Sequence, residues 1–409
     1  MIFQKCYEVL SLDYLENIIV DISETLKNKD FREALESSVP MSEKRVLDFL
    51  NLHKDIPKLA KEVEEIKNKV LSNIDYYIEM AMESLKSING NPHYAETKDD
   101  ALDILDKIIG ERNKIILSKS MVAEEVGIRE HLEEVGKEVW ETDLGQLLIQ
   151  LEKGKPMHAI APAIHMTVND VINLVKNKLN IELKGNETPQ QIVAKIRPFL
   201  REKFVNADVG ISGANAISAD SGSIFLIENE GNIRLVTTLP PLHIAIAGIE
   251  KIVPTLIDAF KVVLVQSSYA GLYPPTYVSM VSGPSSTGDI GHRRVYGAHG
   301  PPEMHLILLN NGRKEAIKND ILRDQLRCIR CGNCQIFCPV WDITANKWGG
   351  KVYGGPMGVG WTAITEGIEK GAELSELCLG CMRCDAACPV EIPLSSLIHK
   401  LKNIYVKPK

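Results

Sequence analysis

The hydrophobic positions before residue 92 repeat with the period of a helix. Apolar residues between positions 59 and 85 follow one another at steps of three and four, which places them on one helical face. Asn91-Pro92 is expected to stop that helix, because proline lacks an amide hydrogen and disfavours a helical residue before it. The pattern therefore predicts helices and no strand up to about residue 92. We interpret these helices, and the isolated Cys6, as structural or partner-binding rather than catalytic.

Between about residues 97 and 315 the pattern changes to short β-branched runs that alternate with helical stretches. Strands are predicted at 114–117, 139–142, 158–163, 222–227, 234–237, 243–247 and 305–309. Helices are predicted at 121–136, 144–153, 168–179 and from Pro254 to Val265. This alternation is typical of βαβ units, so we expect an α/β fold with a parallel sheet covered by helices.

The third part of the chain carries the cysteines. Of the nine cysteines, all except Cys6 lie between Cys328 and Cys388. In a reducing compartment such a group indicates metal or redox chemistry rather than disulfides. The segment between the two cysteine groups is rich in glycine and tryptophan, which predicts mostly loop with one helix at 363–371. We therefore expect three regions: a helical region at 1–96, an α/β domain at 97–315 and a cysteine-bearing domain at 316–409.

Composition and charge exclude some partners. The chain is 44% hydrophobic and 25% charged, which is ordinary for a globular protein. A net charge of −7 lacks the basic footprint of a nucleic-acid-binding protein. The first residues show no cleavage site of a signal peptide, and no apolar run reaches the roughly 18 residues that span a bilayer. We expect a cytoplasmic protein with no membrane span.

The cysteines form two copies of one motif. Cys328-x-x-Cys331-x-x-Cys334-x-x-x-Cys338-Pro339 is repeated as Cys378-x-x-Cys381-x-x-Cys384-x-x-x-Cys388-Pro389. Three thiolates at steps of three bind one [4Fe–4S] cluster, and the fourth cysteine, before proline, reaches the other cluster. The first cluster is expected on Cys328, Cys331, Cys334 and Cys388, and the second on Cys378, Cys381, Cys384 and Cys338. Structural zinc is the alternative, but four-ligand zinc sites do not require this repeated pattern.

Charged side chains beside these motifs and in the α/β domain are further candidates. Arg327, Arg330 and Arg383 are expected to raise the reduction potentials of the clusters through their positive charge. Lys119 lies between a predicted strand and a helix start, where free backbone amides attract a carboxylate or phosphate. Glu230 lies in a segment that suits either a hairpin turn or a binding site. His243 lies on an apolar run, where a histidine is more often a core residue than a ligand contact.

Several short motifs in the α/β region carry a family resemblance. They are Ser118-Lys119-Ser120-Met121, Glu141-Thr142-Asp143-Leu144-Gly145, Asn229-Glu230-Gly231-Asn232 and Pro240-Pro241-Leu242-His243-Ile244. Together with both cysteine motifs, they resemble the LUD-domain iron–sulfur proteins of lactate utilization over roughly residues 97–395. The resemblance implies an α/β domain with the fold of CoA transferases and ribose-5-phosphate isomerase. It also implies a mainly α-helical, ferredoxin-like C-terminal domain with two [4Fe–4S] clusters.

The same resemblance implies a function. The protein would be an electron-transfer subunit of an oxidoreductase that converts a small 2-hydroxy acid, lactate, to pyruvate beside cysteine-rich and LUD-type partner subunits. Lys119, His243 and Glu230 are its candidate catalytic residues, with the lysine and the histidine holding the carboxylate and taking the hydroxyl proton. The sequence lacks a Gly-x-Gly-x-x-Gly fingerprint, so any flavin would belong to a partner flavoprotein dehydrogenase.

Two alternatives to this function stay open. Glu228-Asn229-Glu230-Gly231 is similar to the glutamate-bearing turn on which CoA transferases form a thioester, so acyl transfer is one alternative. The cysteine motifs argue against it, because acyl transfer needs no electrons. In the other alternative, the α/β domain is a scaffold that only docks partners.

Overall fold

The computed structural model describes the backbone of residues 8–406 and the side chains of residues 16–405, so that Cys6 lies outside the described residues. Four helices open the described chain: α1 Glu8–Lys27, α2 Lys29–Leu52, α3 Ile56–Leu71 and α4 Ile74–Ser87. The apolar residues between positions 59 and 85, which predict a single helix, are thus divided between α3 and α4. Its residues are nevertheless largely buried, as the pattern predicts.

The α/β part follows with alternating strands and helices. Its strands are β1 Asn91–Ala95, β2 Lys114–Leu117, β3 Glu138–Glu141, β4 Val209–Ser212, β5 Ala216–Ser218, β6 Ile224–Glu228, β7 Leu242–Gly248, β8 Ile252–Val253, β9 Tyr277–Val281, β10 Ser286–Thr287, β11 Val295–Tyr296 and β12 Glu303–Leu309. Its helices are α5 Lys98–Ile109, α6 Met121–Val126, α7 Ile128–Glu134, α8 Leu144–Glu152, α9 Val168–Leu179, α10 Pro189–Asn206, α11 Asn232–Thr238 and α12 Leu256–Tyr269.

Six of these strands form the predicted parallel sheet, in the order β1-β12-β7-β4-β2-β3. The central strand β7 is buried along its whole length, as expected for a strand covered by helices on both faces. A second sheet has the order β8-β5-β6-β9 and is mostly antiparallel. The mixed α/β prediction is therefore confirmed.

The first strand corrects the prediction that no strand precedes residue 92. Helix α4 ends at Ser87, and Asn91–Ala95 pairs in parallel with β12 instead of only terminating a helix. Pro92 fits there because β1 is the edge strand of the sheet, where the missing amide leaves no ladder bond unmade. This pairing joins residues about two hundred positions apart, so the local pattern could not reveal it.

Two predicted strands are wrong. Residues 158–163 form a loop, because the Met157 amide donates to the Pro162 carbonyl and the His158 Nδ1 accepts from the amides of Ile160 and Ala161. These local bonds replace a strand ladder. Residues 234–237 belong to helix α11, whose Arg234 amide donates to Glu228 Oε2 at 3.0 Å. The segment around Glu230 is therefore a strand-to-helix connection, not a hairpin turn.

The cysteine-bearing part is mainly helical. Helix α13 Arg313–Ile317 leads into it from the α/β part. The cysteine-bearing part itself contains α14 Asn333–Ile336, α15 Trp341–Thr344, α16 Gly355–Thr365, α17 Ile368–Leu374, α18 Arg383–Ala386 and α19 Leu394–Val406. The single helix predicted at 363–371 is instead divided at Gly367, whose φ of 112° ends the helical geometry. Within residues 8–406, no helix is both long and apolar enough to cross a membrane.

The N-terminal helices and the cysteine-bearing part share one hydrophobic core. Phe31 and Leu35 of α2 and Val262 of α12 belong to the same buried cluster as Trp341 and Trp361. The indole of Trp341 donates to Asn346 Oδ1 at 2.8 Å, so its one polar group is satisfied in this interior. The N-terminal helices are therefore part of the core that surrounds the cysteines.

A buried ion-pair network joins the α/β part to the cysteine-bearing part. Arg313 donates from Nε to Glu250 Oε2 at 2.5 Å and from its two terminal nitrogens to Glu125 at 2.8 and 2.7 Å. Arg330 donates to Glu250 Oε1 at 2.6 Å. Burial alone would raise the pKa of Glu250, but the charges of Arg313 and Arg330 outweigh it and hold that pKa well below its usual range.

We predict that Arg313→Met destabilises the protein by about 3–5 kcal/mol, because the change leaves two buried carboxylates without their shared cation. Urea unfolding at pH 7 measures the loss. The depressed pKa of Glu250 stabilises the native state above the usual carboxylate pKa, and this contribution is lost as the pH falls. The destabilisation by Arg313→Met should therefore shrink in acid.

The matched control is Arg32→Met, which breaks an exposed pair with Glu36 and should change stability by no more than about 0.5 kcal/mol. Equal effects of the two substitutions would contradict the structural role assigned to the buried network.

Candidate functional site

The motif cysteines line two separate cavities. One cavity is lined by Cys328, Cys331, Cys334 and Cys388, and the other by Cys338, Cys378, Cys381 and Cys384. Each cavity takes three cysteines from one motif and the fourth from the other motif, which is the grouping that the motif spacing predicts. We call them the Cys328 cavity and the Cys378 cavity. The binding of individual thiolates to iron stays a prediction.

The donor chemistry of both cavities fits an iron–sulfur cluster. Each offers four cysteine sulfurs, which are soft ligands, and the rest of each lining is almost entirely apolar. Burial raises the pKa of Cys338 to about 11 and that of Cys388 to about 12. Without iron these thiols are neutral, so cluster binding must release their protons.

A glycine inside the first motif allows the surrounding loops to pack closely. Gly332 has a φ of 77°, and a side chain on it would meet His158 Nε2 at 2.8 Å. His158 lies in the loop 157–163, which the sequence wrongly predicts as a strand. That loop therefore covers the first cysteine motif, and burial lowers the pKa of His158 to about 4, so that its ring is neutral.

The two cysteine cavities differ in exposure. Cys328, Cys331 and Cys334 are all buried, whereas Cys381 of the other cavity is exposed. The neighbouring side chains of Leu379 and Met382 are 70% and 62% exposed, although both are apolar. The Cys378 cavity thus lies at the surface, and the Cys328 cavity lies inside the protein.

A third cavity, of about 240 Å³, lies where several strands end. We call it the ligand cavity. Its lining contains residues that follow the carboxyl ends of β2, β3, β4, β6 and β7: Lys119, Asp143, Gly213, Glu230 and Lys251. Ligands of open α/β sheets bind at this edge. A side chain on Gly213 would meet Ser120 Oγ at 2.7 Å, so glycine is required for this close approach.

The structure brings two of the three predicted catalytic residues into this cavity. The Lys119 ammonium donates to the Ile160 carbonyl at 2.5 Å, and Glu230 Oε2 accepts from the Leu144 amide at 3.1 Å. Burial first, and then the charge of Asp143, raise the pKa of Glu230 to about 7 against the opposing charge of Lys119. This carboxyl group therefore exchanges a proton near neutral pH.

His243 does not lie with the other two residues. Its ring is fully buried in β7, and its Nε2 lies 2.8 Å from Ser212 Oγ. Burial lowers the pKa of His243 to about 4, so the ring is neutral at pH 7. The arrangement is that of a core histidine bonded to a neighbouring strand, and it offers the ligand cavity no contact.

The ligand cavity contains two cationic residues that the sequence does not place there, Lys251 and Arg330. Lys251 is only 6% exposed and has neither a hydrogen-bond nor an ion-pair partner in the part of the chain that the structure describes. Burial lowers its pKa to about 7. The available sequence signal is a charged pair, Glu250-Lys251, placed directly after the apolar run at 243–247. The second cation is Arg330, which comes from the cysteine-bearing part.

Arg330 lines both the ligand cavity and the Cys328 cavity. Its guanidinium carbon lies 4.1 Å from the ring centre of Trp361 and 5.0 Å from that of Tyr353. The Tyr353 hydroxyl accepts from Arg330 Nη2 at 3.3 Å and donates to Glu125 at 2.5 Å. Aromatic stacking and ion pairing thus fix a buried positive charge between the two cavities.

Comparison with known families gives two matches along the chain. Residues 78–309 match the LUD domain, and residues 324–392 match the 4Fe-4S dicluster domain. The second match and the two four-cysteine cavities agree on the cofactor: the protein binds two [4Fe–4S] clusters.

Several proteins are similar along most of the chain. The "Uncharacterized electron transport protein YkgF" of Escherichia coli is 37% identical over 83% of this chain and 70% of its own length. "Lactate utilization protein B" of Bacillus velezensis is 35% identical over 94% of this chain and 80% of its own length. The Bacillus subtilis protein of that name is 36% identical over 84% of this chain and 70% of its own length.

A solved structure of a DUF162 family protein from Deinococcus radiodurans aligns with 59% of this chain and 98% of its own. Its identity is 14% and its TM-score is 0.32, so this alignment carries no argument about the fold. The family matches and the similarity along most of the chain are sufficient without it. The chain belongs to the family of LUD-domain iron–sulfur proteins that includes lactate utilization protein B.

Proposed function

We propose that this chain is the electron-transfer subunit of a complex that oxidises a small 2-hydroxy acid, with lactate converted to pyruvate. The main support is that the ligand cavity and the Cys328 cavity adjoin each other and share Arg330. The names of the relatives, which refer to lactate utilization and electron transport, support the substrate and the process. We propose cysteine-rich and LUD-type subunits, or a flavoprotein dehydrogenase, as its partners.

The ligand cavity suits a small carboxylate. Its volume of about 240 Å³ is smaller than the roughly 300–1,000 Å³ that is typical of pockets for drug-sized ligands. Lys119, Lys251 and Arg330 supply positive charge, and the amide side chains of Asn215 and Gln266 supply further hydrogen-bonding groups. We assign the carboxylate to the Lys119 side of the cavity, because Lys119 lies at the strand-to-helix junction, where free amides also favour an anion.

Glu230 is the best-placed group to take the hydroxyl proton. It lines the ligand cavity, and its pKa of about 7 leaves a substantial ionised fraction at neutral pH. His243, the other residue considered for this role, lies outside the lining. The hydride equivalent that leaves the α-carbon would pass to a two-electron carrier in the proposed partner flavoprotein dehydrogenase. Each [4Fe–4S] cluster, when bound, would carry one electron at a time, so the two clusters together have capacity for the electron pair that this carrier releases.

Acyl transfer remains the rival function, because Glu230 lines a cavity as a thioester-forming glutamate would. It does not explain why Arg330 connects that cavity to a cysteine cavity. Exchange of label between acyl-CoA and a carboxylate would support the rival. Lactate-dependent reduction of the clusters, lost when partner subunits are omitted, would support electron transfer.

The crossed cysteine grouping predicts which cluster is lost when one cysteine is replaced. Wild-type protein purified without oxygen should hold roughly eight irons and eight sulfides. Cys388→Ser should damage the cluster expected on Cys328, Cys331 and Cys334, because Cys388 lines that cavity. Cys338→Ser is the matched variant and should damage the other cluster. Electron paramagnetic resonance spectra of the two variants should differ accordingly, and the reverse pattern would refute the crossing.

The role of Lys119 can be measured by ligand binding. Lys119→Gln should weaken lactate binding roughly ten- to a hundredfold, since a hydrogen bond to a charged group contributes about 1.5–3 kcal/mol. Calorimetry on the assembled complex measures the affinity. Lys176→Gln, at an exposed position of α9, is the control and should leave it unchanged. Unchanged affinity in Lys119→Gln would mean that the carboxylate binds elsewhere.

The role of Glu230 predicts a pH dependence. A base must be ionised to accept a proton, so lactate-dependent cluster reduction should rise with pH and level off above about 7. Below that pH the rate should fall about tenfold per unit. Glu230→Gln should abolish this rise and slow reduction at every pH, while lactate binding is retained. A wild-type profile that is flat between pH 5 and 8 would exclude Glu230 as the base.

A further inference from the structure

One of the positions at which the two cysteine motifs differ lies beside the ligand cavity. The residue directly before the second cysteine is Arg330 in the first motif and Gly380 in the second. Both adopt left-handed backbone geometry, with φ of 59° and 67°. Glycine takes this conformation freely, whereas a residue with a side chain is strained there. The reverse exchange occurs two positions later, where Gly332 and Met382 have φ of 77° and 61°, so the contacts of the Arg330 side chain, and not its backbone geometry, indicate its use.

The surroundings of Arg330 show what that side chain connects. It is buried, it lines both the ligand cavity and the Cys328 cavity, and its Nε has no hydrogen-bond partner among the described residues. Its two terminal nitrogens are held by Glu250 and Tyr353. These two contacts fix the guanidinium group, so its positive charge has the same position relative to both cavities.

The other cysteine cavity has no such connection. Among the described residues, the linings of the Cys378 cavity and the ligand cavity have no member in common. Arg383, the arginine of the second motif, points to the surface and pairs with Glu43 at 2.9 Å. An anion in the ligand cavity is thus adjacent to one cluster site only.

We propose that a bound anion in the ligand cavity and an added electron on the cluster of the Cys328 cavity oppose each other, with Arg330 between the two cavities attracting both. The inference rests on the proposed function in that the ligand cavity must bind a small carboxylate. The positive charge of Arg330 favours the carboxylate and the electron alike, while these two negative charges repel each other across the one side chain that both cavities share. A bound anion lowers the reduction potential of that cluster, and by reciprocity the reduced cluster binds the anion more weakly.

This coupling favours release of the product after the cluster has been reduced. A carboxylate product formed beside an oxidised cluster is held, and its affinity falls once that cluster carries an electron. A tenfold lower affinity in the reduced state corresponds to a potential that is 59 mV lower with the anion bound, for a one-electron couple. The Cys378 cavity, with its exposed Cys381, lies outside this effect.

The test is a dithionite titration of the complete protein, followed by electron paramagnetic resonance, with and without oxamate. Oxamate is a small carboxylate that supplies no electrons as a hydroxy acid does. We expect oxamate to lower the potential of the Cys328-cavity cluster by about 59 mV for a tenfold coupling, and to leave the other potential unchanged. The spectra of the Cys388→Ser and Cys338→Ser variants identify the two clusters.

Three variants separate the role of Arg330 from general damage. Arg330→Gln should lower the ligand-free potential of the Cys328-cavity cluster and weaken oxamate binding, while the shift at saturating oxamate persists because the two negative charges still repel each other. Arg383→Gln is the matched control and should change neither that potential nor the oxamate affinity, because its side chain pairs with Glu43 away from the ligand cavity. If Arg330→Gln fails to hold its clusters, Lys119→Gln still tests the proposal. That variant should leave the ligand-free potentials unchanged and require ten- to a hundredfold more oxamate for the same shift.

The outcomes distinguish this inference from the proposed function. If calorimetry shows that oxamate binds the oxidised protein but neither reduction potential shifts, the coupling is wrong. The proposal that the ligand cavity binds a small carboxylate is then unaffected. If oxamate, lactate and pyruvate all fail to bind, even in the assembled complex, both the coupling and the proposed function are wrong. An equal shift of both potentials, or an Arg330→Gln variant whose ligand-free potentials and oxamate affinity are unchanged, overturns the role of Arg330.

Discussion

The carboxylate of Glu250 is the point on which the site depends. It follows a strand that is buried along its whole length, and it pairs with Arg313 of α13 and with Arg330 of the first cysteine motif. Glu250 and Arg330 each need the other's charge in this interior, because an unpaired buried charge costs several kcal/mol, whereas Arg313 also pairs with Glu125. This mutual requirement fixes the first cysteine motif against the edge of the sheet where the ligand cavity lies.

The sequence reveals features whose chemistry is local. The repeated cysteine spacing predicts the cofactor and a grouping of cysteines that the two cavities reproduce. Lys119 is found from the sequence because a strand-to-helix junction marks the ligand-binding edge of an α/β sheet. The parallel sheet is found because its buried strands are apolar runs separated by helical stretches.

Features that depend on distant contacts are missed for a physical reason. Arg330 lines the ligand cavity only because Glu250 and Tyr353 hold it there, and neither partner is near it in sequence. An apolar run such as 243–247 predicts a buried strand, but it does not say whether His243 faces a cavity or a neighbouring strand. The loop at 157–163 is held by hydrogen bonds of His158, which composition alone cannot distinguish from a strand.

The shared core ties the maturation of the protein to iron supply. The cysteine sulfurs of both motifs are packed in the same hydrophobic cluster as helix α2 and helix α12. Cluster binding is therefore part of the folding free energy of the whole chain, including helices far from the cysteines in sequence. A shortage of iron is therefore expected to lower the stability of the N-terminal helices together with that of the cysteine-bearing part.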